Sequence, residues 1–190
     1  MNNQKITVVL FVKNNENNLV KCVESILFQS YKECDILLVY KASYDSSYNL
    51  CCELKNKYKN VNLCTADELK DNSINTLCQR IDSTHILFMN AVNHLGTQCI
   101  SATLGAKLVY HSKLAIIPAN VAQKCSLDLK KLSIVIYQKF SELPKQSLLA
   151  IYDKDYLNAH LCNHNYMLDE WNKILPNSIN ELNYISGICL

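Results

Sequence analysis

The chain has 190 residues, of which 49% are hydrophobic and 19% are charged. That length allows one well-buried domain, and the composition is typical of a globular protein. The formal net charge is only +2, so no global field favours nucleic acid or acidic lipid as a partner. Residues 1–5 are polar and the apolar run after them is too short to span a bilayer, so we expect no signal peptide and no transmembrane segment.

The 10 cysteines are scattered along the chain and form no C-x-x-C pair. Several fall on apolar faces, where a free cysteine behaves as a small hydrophobic residue. We therefore interpret them as reduced thiols of a cytoplasmic protein. His160, Cys162 and His164 alternate, but a helix end at this position would scatter their side chains, so we expect no transition-metal site there.

The first half of the chain alternates apolar runs with segments of helical periodicity. The run over residues 6–12 is nearly unbroken and rich in β-branched residues, which is typical of a strand buried on both faces of a parallel sheet. The apolar positions of residues 19–27 form one stripe of an amphipathic helix. The pattern predicts strands at 5–12, 35–40, 61–64 and 85–89 and helices at 19–29, 48–58 and 73–80. This order predicts a parallel sheet with helices on both faces.

The second half is less regular. A helix is predicted at 96–110, followed by a strand at 114–117 that Pro118 ends. Residues 127–140 contain an apolar run that fits either a strand or a buried helix. Beyond it the pattern predicts a strand at 148–152, helices at 154–162 and 169–175, and a short strand around 184–185.

The stretch 6–31 resembles the opening of the family 2 glycosyltransferases, whose GT-A fold transfers a sugar from a nucleotide sugar. Asn14 matches the family's asparagine, Glu24-Ser25 its helix and Gln29-Ser30-Tyr31 its Gln-Thr-Tyr turn, whereas Phe11 and Lys13 replace a proline and a tyrosine. The resemblance implies one GT-A-like domain over residues 1–190. It is an α/β, Rossmann-related fold with a mostly parallel sheet, one or more antiparallel strands, and helices on both faces. In such sheets ligands collect at the carboxyl ends of the strands, here the loop 12–18.

The resemblance implies a nucleoside site where the second strand ends, because the family has an aspartate pair there, followed by Gly-Ser-Thr-Asp. Tyr40 and Lys41 replace the acidic pair, while Ser43 and Asp45 are kept. Either Tyr40 stacks on a base and Lys41 contacts a phosphate, or the two are an aromatic strand end and a solvated lysine. The nucleotide-binding residues expected from the resemblance are Val12, Asn14, Tyr40, Lys41, Ser43, Asp45 and Asn75.

The family's metal motif, Asp-x-Asp-Asp, corresponds to Asn90-Ala91-Val92-Asn93 in this chain. Asn90 and Asn93 occupy two of the acidic positions, and Val92 occupies the middle one. Hard divalent cations prefer carboxylate oxygens, so we interpret the motif as disabled and expect no metal site. Mn²⁺ or Mg²⁺ is expected only if the degenerate motif still binds. The loop 67–71 has no glycine and a net negative charge, so it should repel a diphosphate.

The general base of the family is an aspartate in a Glu-Asp pair before an aromatic residue near the end of the domain. Asp169 and Glu170, just before Trp171, fit that place with the two residue types reversed. The resemblance implies Glu170 as the base, by position, and Asp169 as the second carboxylate. A helix N-terminus explains the same acidic residues equally well, because the helix dipole favours them there.

Three functions remain open on this evidence. The first is a glycosyltransferase homologue with weakened or lost catalysis, a pseudoenzyme that acts as a partner or regulator in surface-polysaccharide biosynthesis. The second is an active, metal-independent glycosyltransferase with Glu170 as base and Lys41 or Lys13 neutralising the leaving diphosphate. The third is a protein-interaction module. The expected partners are a UDP- or GDP-type nucleotide sugar and a glycosyltransferase or second copy of the chain. The expected location is the cytoplasm, or the inner membrane surface through a partner.

Overall fold

A mixed β-sheet runs through the protein and carries helices on both faces. The computed structural model describes residues 4–69, 71, 73–92, 94–109, 111–118, 133–137, 148–163, 166–174 and 185–189. The strands of this described part are β1 (Ile6–Val12), β2 (Cys34–Tyr40), β3 (Val61–Thr65), β4 (His85–Asn90), β5 (Leu114–Pro118), β6 (Ser133–Tyr137), β7 (Leu148–Asp153) and β8 (Ile185–Cys189). Its helices are α1 (Leu19–Leu27), α2 (Ser47–Lys57), α3 (Ile74–Gln79), α4 (Cys99–Val109), α5 (Lys154–Asn163) and the 3₁₀ helices Ala66–Glu68 and Leu168–Lys173.

The strand order of the sheet is β3-β2-β1-β4-β7-β5-β8-β6. The first four strands are mutually parallel. Strand β7 is antiparallel to both β4 and β5, β8 is parallel to β5, and β6 is antiparallel to β8. The expected mostly parallel sheet with antiparallel strands is therefore confirmed. Because the chain leaves β1 for β2 on one side and places β4 on the other, the strand order reverses at β1.

Two apolar layers cover the two faces of the sheet. On one face α1, α2 and α4 pack against alternate residues of β1 such as Val8 and Leu10. On the other face α3, α5 and the segment around Leu168 pack against Val9 and Phe88. Both faces of β1 are thus buried, which explains why its sequence is an almost continuous apolar run.

The family-like residues at the end of α1 join this helix to the segment before α4. Gln29 is fully buried, and its Nε2 donates to the Gly96 carbonyl at 2.7 Å while its Oε1 accepts from the Ile100 N–H at 3.0 Å. The Ser25 hydroxyl accepts from the Leu95 N–H at 3.0 Å. These bonds hold the chain that follows β4 against α1, and so they position the carboxyl edge of β4.

Some element boundaries differ from the sequence prediction. The predicted helix 19–29 ends at Leu27. The Gln29 side chain donates to the Ser25 carbonyl, which would accept from the Gln29 N–H if the helix continued. The predicted helix 169–175 is the 3₁₀ helix Leu168–Lys173, preceded by an isolated bridge between Ser73 and Met167. Residues Ser133–Tyr137 of the ambiguous stretch form a strand, and the rest of that stretch lies outside the described residues.

Candidate functional site

A cleft of about 290 Å³ opens at the carboxyl ends of β1, β2 and β4. It lies where the strand order reverses, the position at which open α/β sheets bind their ligands. The loop after β1 forms part of its wall, together with a segment distant in sequence, the start of the 3₁₀ helix Leu168–Lys173. The lining residues are Phe11, Val12, Lys13, Asn15, Val39, Lys41, Asn90, Val92, Leu168 and Asp169.

Asn14 joins the β1–α1 loop to the β2–α2 loop. Its backbone is in the left-handed region, with φ 53°, which asparagine tolerates better than most residues. Its N–H donates to the Ser43 hydroxyl, and its Oδ1 accepts from the Tyr44 N–H, both at 3.0 Å. Two of the expected nucleotide-binding residues, Asn14 and Ser43, therefore bond to each other rather than line the cleft.

A second pair of contacts joins the same two loops. The Asp45 carboxylate accepts from the Glu16 N–H at 3.0 Å, and the Glu16 carboxylate accepts from the Ser46 N–H at 3.0 Å. Desolvation raises the pKa of Asp45, but hydrogen bonds from Glu16 and Ser47 outweigh this effect and hold the pKa below its usual value. Asp45 is thus a charged side chain that joins the two loops beside the cleft.

Tyr40 is held at the end of β2 by two contacts. Its hydroxyl accepts from the Ser43 N–H at 3.0 Å, and its ring packs on Tyr48 with the centroids 5.1 Å apart. Tyr40 is not among the residues that line the cleft. The neighbouring Tyr44 is fully exposed.

An ion pair joins two walls of the cleft. The Lys41 ammonium donates to the Asp169 carboxylate, across a separation of 128 residues in the sequence. The side chains are 34% and 66% exposed, so the pair contributes only about 0.2–1 kcal/mol to stability. With the exposed Lys13, the lining side chains carry two positive charges and one negative charge, which suits an anionic ligand.

Glu170 is engaged within its own turn. Its carboxylate accepts from the Met167 N–H at 3.2 Å, and it is not among the lining residues. The Leu168 side chain is buried, so the segment is anchored to the sheet on the side opposite its acidic residues. Of the two carboxylates expected from the family pattern, the structure places Asp169 at the cleft.

The end of β4 does not fit a divalent cation. Asn90 and Val92 line the cleft, Ala91 is buried, and Asn93 lies outside the described residues. Asp169 supplies the one carboxylate among the lining residues, and Lys41 already holds it. Over the part of the chain that the structure describes, no group of three or more His, Cys, Asp or Glu residues is placed to hold a metal ion. The lining therefore lacks the set of carboxylate oxygens that a divalent cation prefers.

Asn75 lies away from the cleft. Its Nδ2 donates to the Leu161 carbonyl at 3.2 Å, which joins α3 to α5. Conversely, the cleft includes Asn15 and Leu168, which the sequence analysis did not propose. Asn15 follows Asn14 in the loop after β1, and this place at a strand end could have identified it as a cleft residue. Its Oδ1 accepts from the Lys13 N–H at 2.7 Å. Leu168 carries no local signal, because only the folded chain brings it to β1.

Comparisons with known proteins agree with this architecture. Residues 7–91 match the family model for glycosyl transferase family 2. A curated relative, Glycosyltransferase GlyA from Streptococcus pneumoniae serotype 4 (strain ATCC BAA-334 / TIGR4), is 47% identical over 49 residues, which is 26% of this chain and 7% of that protein. In the described residues no helix is long and apolar enough to cross a membrane.

Two solved structures have the same fold over 96% of this chain. They are S. aureus TarS 1-349 in complex with UDP, with TM-score 0.71 and 14% identity, and the mannosyltransferase PcManGT from Pyrobaculum calidifontis in complex with GDP-Man and Mn²⁺, with TM-score 0.65 and 11% identity. The chain spans 57% and 56% of those two proteins, a little over half their length. Residues 7–91 of this chain are thus similar to the family 2 glycosyltransferases, and its sheet is that of a GT-A-like fold.

Proposed function

We propose that this protein binds a UDP- or GDP-type nucleotide sugar in the cleft at the carboxyl ends of β1, β2 and β4. The observation that carries the proposal is the charge of the cleft, which is lined by Lys13, Lys41 and a single carboxylate where the strand order reverses. Lysine ammonium groups are suited to phosphate oxygens. Relatives of the same fold were solved with UDP and with GDP-Man, which supports this class of ligand.

In this proposal catalysis is weakened or lost. Transfer requires a general base for the acceptor hydroxyl and neutralisation of the leaving diphosphate. Lys41 holds the Asp169 carboxylate, Glu170 bonds within its own turn, and Asn90 takes the place of an acidic metal ligand. We propose that such a domain serves as a partner or regulator in surface-glycan synthesis. The reduced cysteines, free wherever the structure describes them, suit the cytoplasm, with the inner membrane surface reached through a partner.

An active, metal-independent transferase is the second candidate, favoured by the presence of Asp169 in the same cleft as the two lysines. The acceptor hydroxyl would attack the anomeric carbon, the bond from that carbon to the diphosphate would break, and the proton would pass to Asp169 or Glu170. The released nucleoside diphosphate would carry away the bonding electron pair. This candidate predicts turnover, which the first candidate does not.

The test measures binding and turnover on the same preparation. Thermal unfolding is followed with UDP, GDP, UDP-GlcNAc and GDP-Man, with and without Mn²⁺, and nucleoside diphosphate release is followed with the two sugar nucleotides. A ligand at 100 times its Kd stabilises the native state by about 2.7 kcal/mol, so a rise in Tm with concentration is expected. Little or no diphosphate release is expected.

Lys41→Ala should reduce the Tm shift, because it removes one of two cationic groups from the cleft. Lys55→Ala is the matched control, since Lys55 is an exposed lysine in the last turn of α2, which runs away from the cleft. No shift with any nucleotide at millimolar concentration would contradict the proposal and favour a protein-interaction module. Diphosphate release that Asp169→Asn abolishes would establish the active transferase.

A further inference from the structure

The lining of the cleft carries two basic side chains and one acidic side chain. A divalent cation bound between a protein and a diphosphate needs carboxylate oxygens on the protein side. Here Asn90 and Val92 stand at the end of β4, whereas Lys13 and Lys41 follow β1 and β2. Asp169 is the single lining carboxylate, and its charge is already matched by Lys41. The lining side chains thus supply the positive charge that a metal ion would otherwise bring.

We infer that this cleft binds the diphosphate of its ligand without a divalent cation, on Lys13 and Lys41, and that Asp169 is an internal counter-ion which the diphosphate displaces from Lys41. The inference rests on the proposed function, because it describes how the proposed nucleotide is held. It identifies the ligand chemistry as a metal-free nucleoside diphosphate.

The Lys41–Asp169 pair is suited to such an exchange. Both side chains are partly exposed, so the pair is screened by solvent and costs little to open. A diphosphate carries more charge than one carboxylate and offers several oxygens to the three donors of an ammonium group. The displaced Asp169 side chain is 66% exposed and can turn to water, while buried Leu168 keeps the backbone of the segment in place.

If the diphosphate displaces Asp169, neutralising this charged residue of the cleft should tighten binding. Asp169→Asn removes the competitor of the diphosphate, so the Kd for UDP or GDP should fall by about 1.4- to 5-fold, the range expected for an exposed ion pair. Lys41→Ala should raise the Kd. In the Lys41→Ala background, Asp169→Asn should tighten binding less, because the contact that competes is gone.

The experiment is titration calorimetry of the full chain with UDP, GDP and uridine, first in EDTA and then in Mn²⁺. Asp82→Asn and Lys55→Ala are the matched controls. Asp82 is exposed just before β4, at the edge of the sheet opposite the cleft, and Lys55 is exposed on α2. We expect a nucleoside diphosphate to bind equally in EDTA and in Mn²⁺, uridine to bind more weakly, and neither control to change the Kd. The Tm of each variant shows that it is folded.

The possible results separate this inference from the proposed function. Binding that requires Mn²⁺ overturns the inference and leaves the proposed function standing. Uridine bound as tightly as UDP also overturns it, since the diphosphate would then contribute nothing. Weaker binding in Asp169→Asn overturns the displacement, because Asp169 would then help to hold the ligand. If no nucleotide binds under either condition, the proposed function itself is contradicted.

Discussion

Gln29→Met tests whether the family-like turn after α1 is kept for the fold rather than for the ligand. Gln29 is fully buried, and its amide bonds to Ser25, Gly96 and Ile100 at 2.7–3.0 Å. Methionine has nearly the same shape but cannot replace these hydrogen bonds. The Gly96 carbonyl still accepts from the Cys99 N–H at 3.0 Å, whereas the Ile100 N–H is left buried without its partner.

The size of the effect follows from the Ile100 N–H. An unsatisfied buried donor costs about 1–3 kcal/mol, so we expect a loss of about 1–3 kcal/mol in the free energy of unfolding. In a domain of this size 1 kcal/mol lowers Tm by about 2–4 °C, which corresponds to a fall of roughly 2–12 °C. That loss is a sizeable part of the ~5–15 kcal/mol stability of a typical domain.

The assay is urea unfolding followed by circular dichroism, with Gln79→Met as the matched control. Gln79 is the exposed last residue of α3, so its replacement should change stability by less than about 0.5 kcal/mol. If the stability of Gln29→Met lies within about 0.5 kcal/mol of this control, the hydrogen bonds of Gln29 do not hold α1 to the start of α4, and the reasoning is refuted.

Three further predictions concern single side chains. Desolvation by burial, and then the positive charge of Lys107, lower the pKa of His85 to about 4, although the negative charge of Asp153 raises it. The neutral form is therefore favoured in the folded state, and up to about 3 kcal/mol of stability should be lost as pH falls from 6.5 to 4. In His85→Leu, the free energy of unfolding should differ less between pH 6.5 and pH 4 than in the unmodified protein. An equal difference in the two proteins would contradict this. Ser73→Ala should cost about 1 kcal/mol because the Ser73 hydroxyl accepts from the Thr76 N–H at the start of α3, whereas Ser46→Ala, at the start of α2 without such a bond, should cost little in the same urea assay. Asn75→Ala should lower Tm but leave the Kd for UDP unchanged, since Asn75 bonds to α5; a changed Kd would place it in the binding site.

The fold was predictable because its signals are local and repeated. The apolar run of β1, the helical stripe of α1 and the alternation of strands and helices each depend on residues near one another in sequence. The match to the Gln29-Ser30-Tyr31 turn added long-range information, because Gln29 bonds to Gly96 just before α4 and Ser30 bonds to Ser101 within it. The pattern predicted a strand at 148–152, and the family resemblance implied one or more antiparallel strands, but only the structure shows that β7 is one of them.

The candidate site was predictable only in part. Val12, Lys41, Asn90 and Asp169 line the cleft as strand-end or family positions. Asn14, Ser43 and Asp45 carry the expected motif but are used to join two loops. Their residue types suit either role, because the same oxygen atoms accept from a backbone N–H or from a ligand. Their partners, which no local pattern specifies, decide between the two.

By itself the sequence determined the α/β class, the order of the first elements and the edge of the sheet at which the cleft opens. Those properties depend on hydrophobic periodicity and on the order of the elements, both of which are visible in residues that are close together in the sequence. Only the tertiary structure decided that Asp169, and not Glu170, reaches the cleft, and that its partner is Lys41, 128 residues away. The pairing of two charges depends on how the 3₁₀ helix Leu168–Lys173 packs beside β1 and β2, and that packing is a property of the whole core.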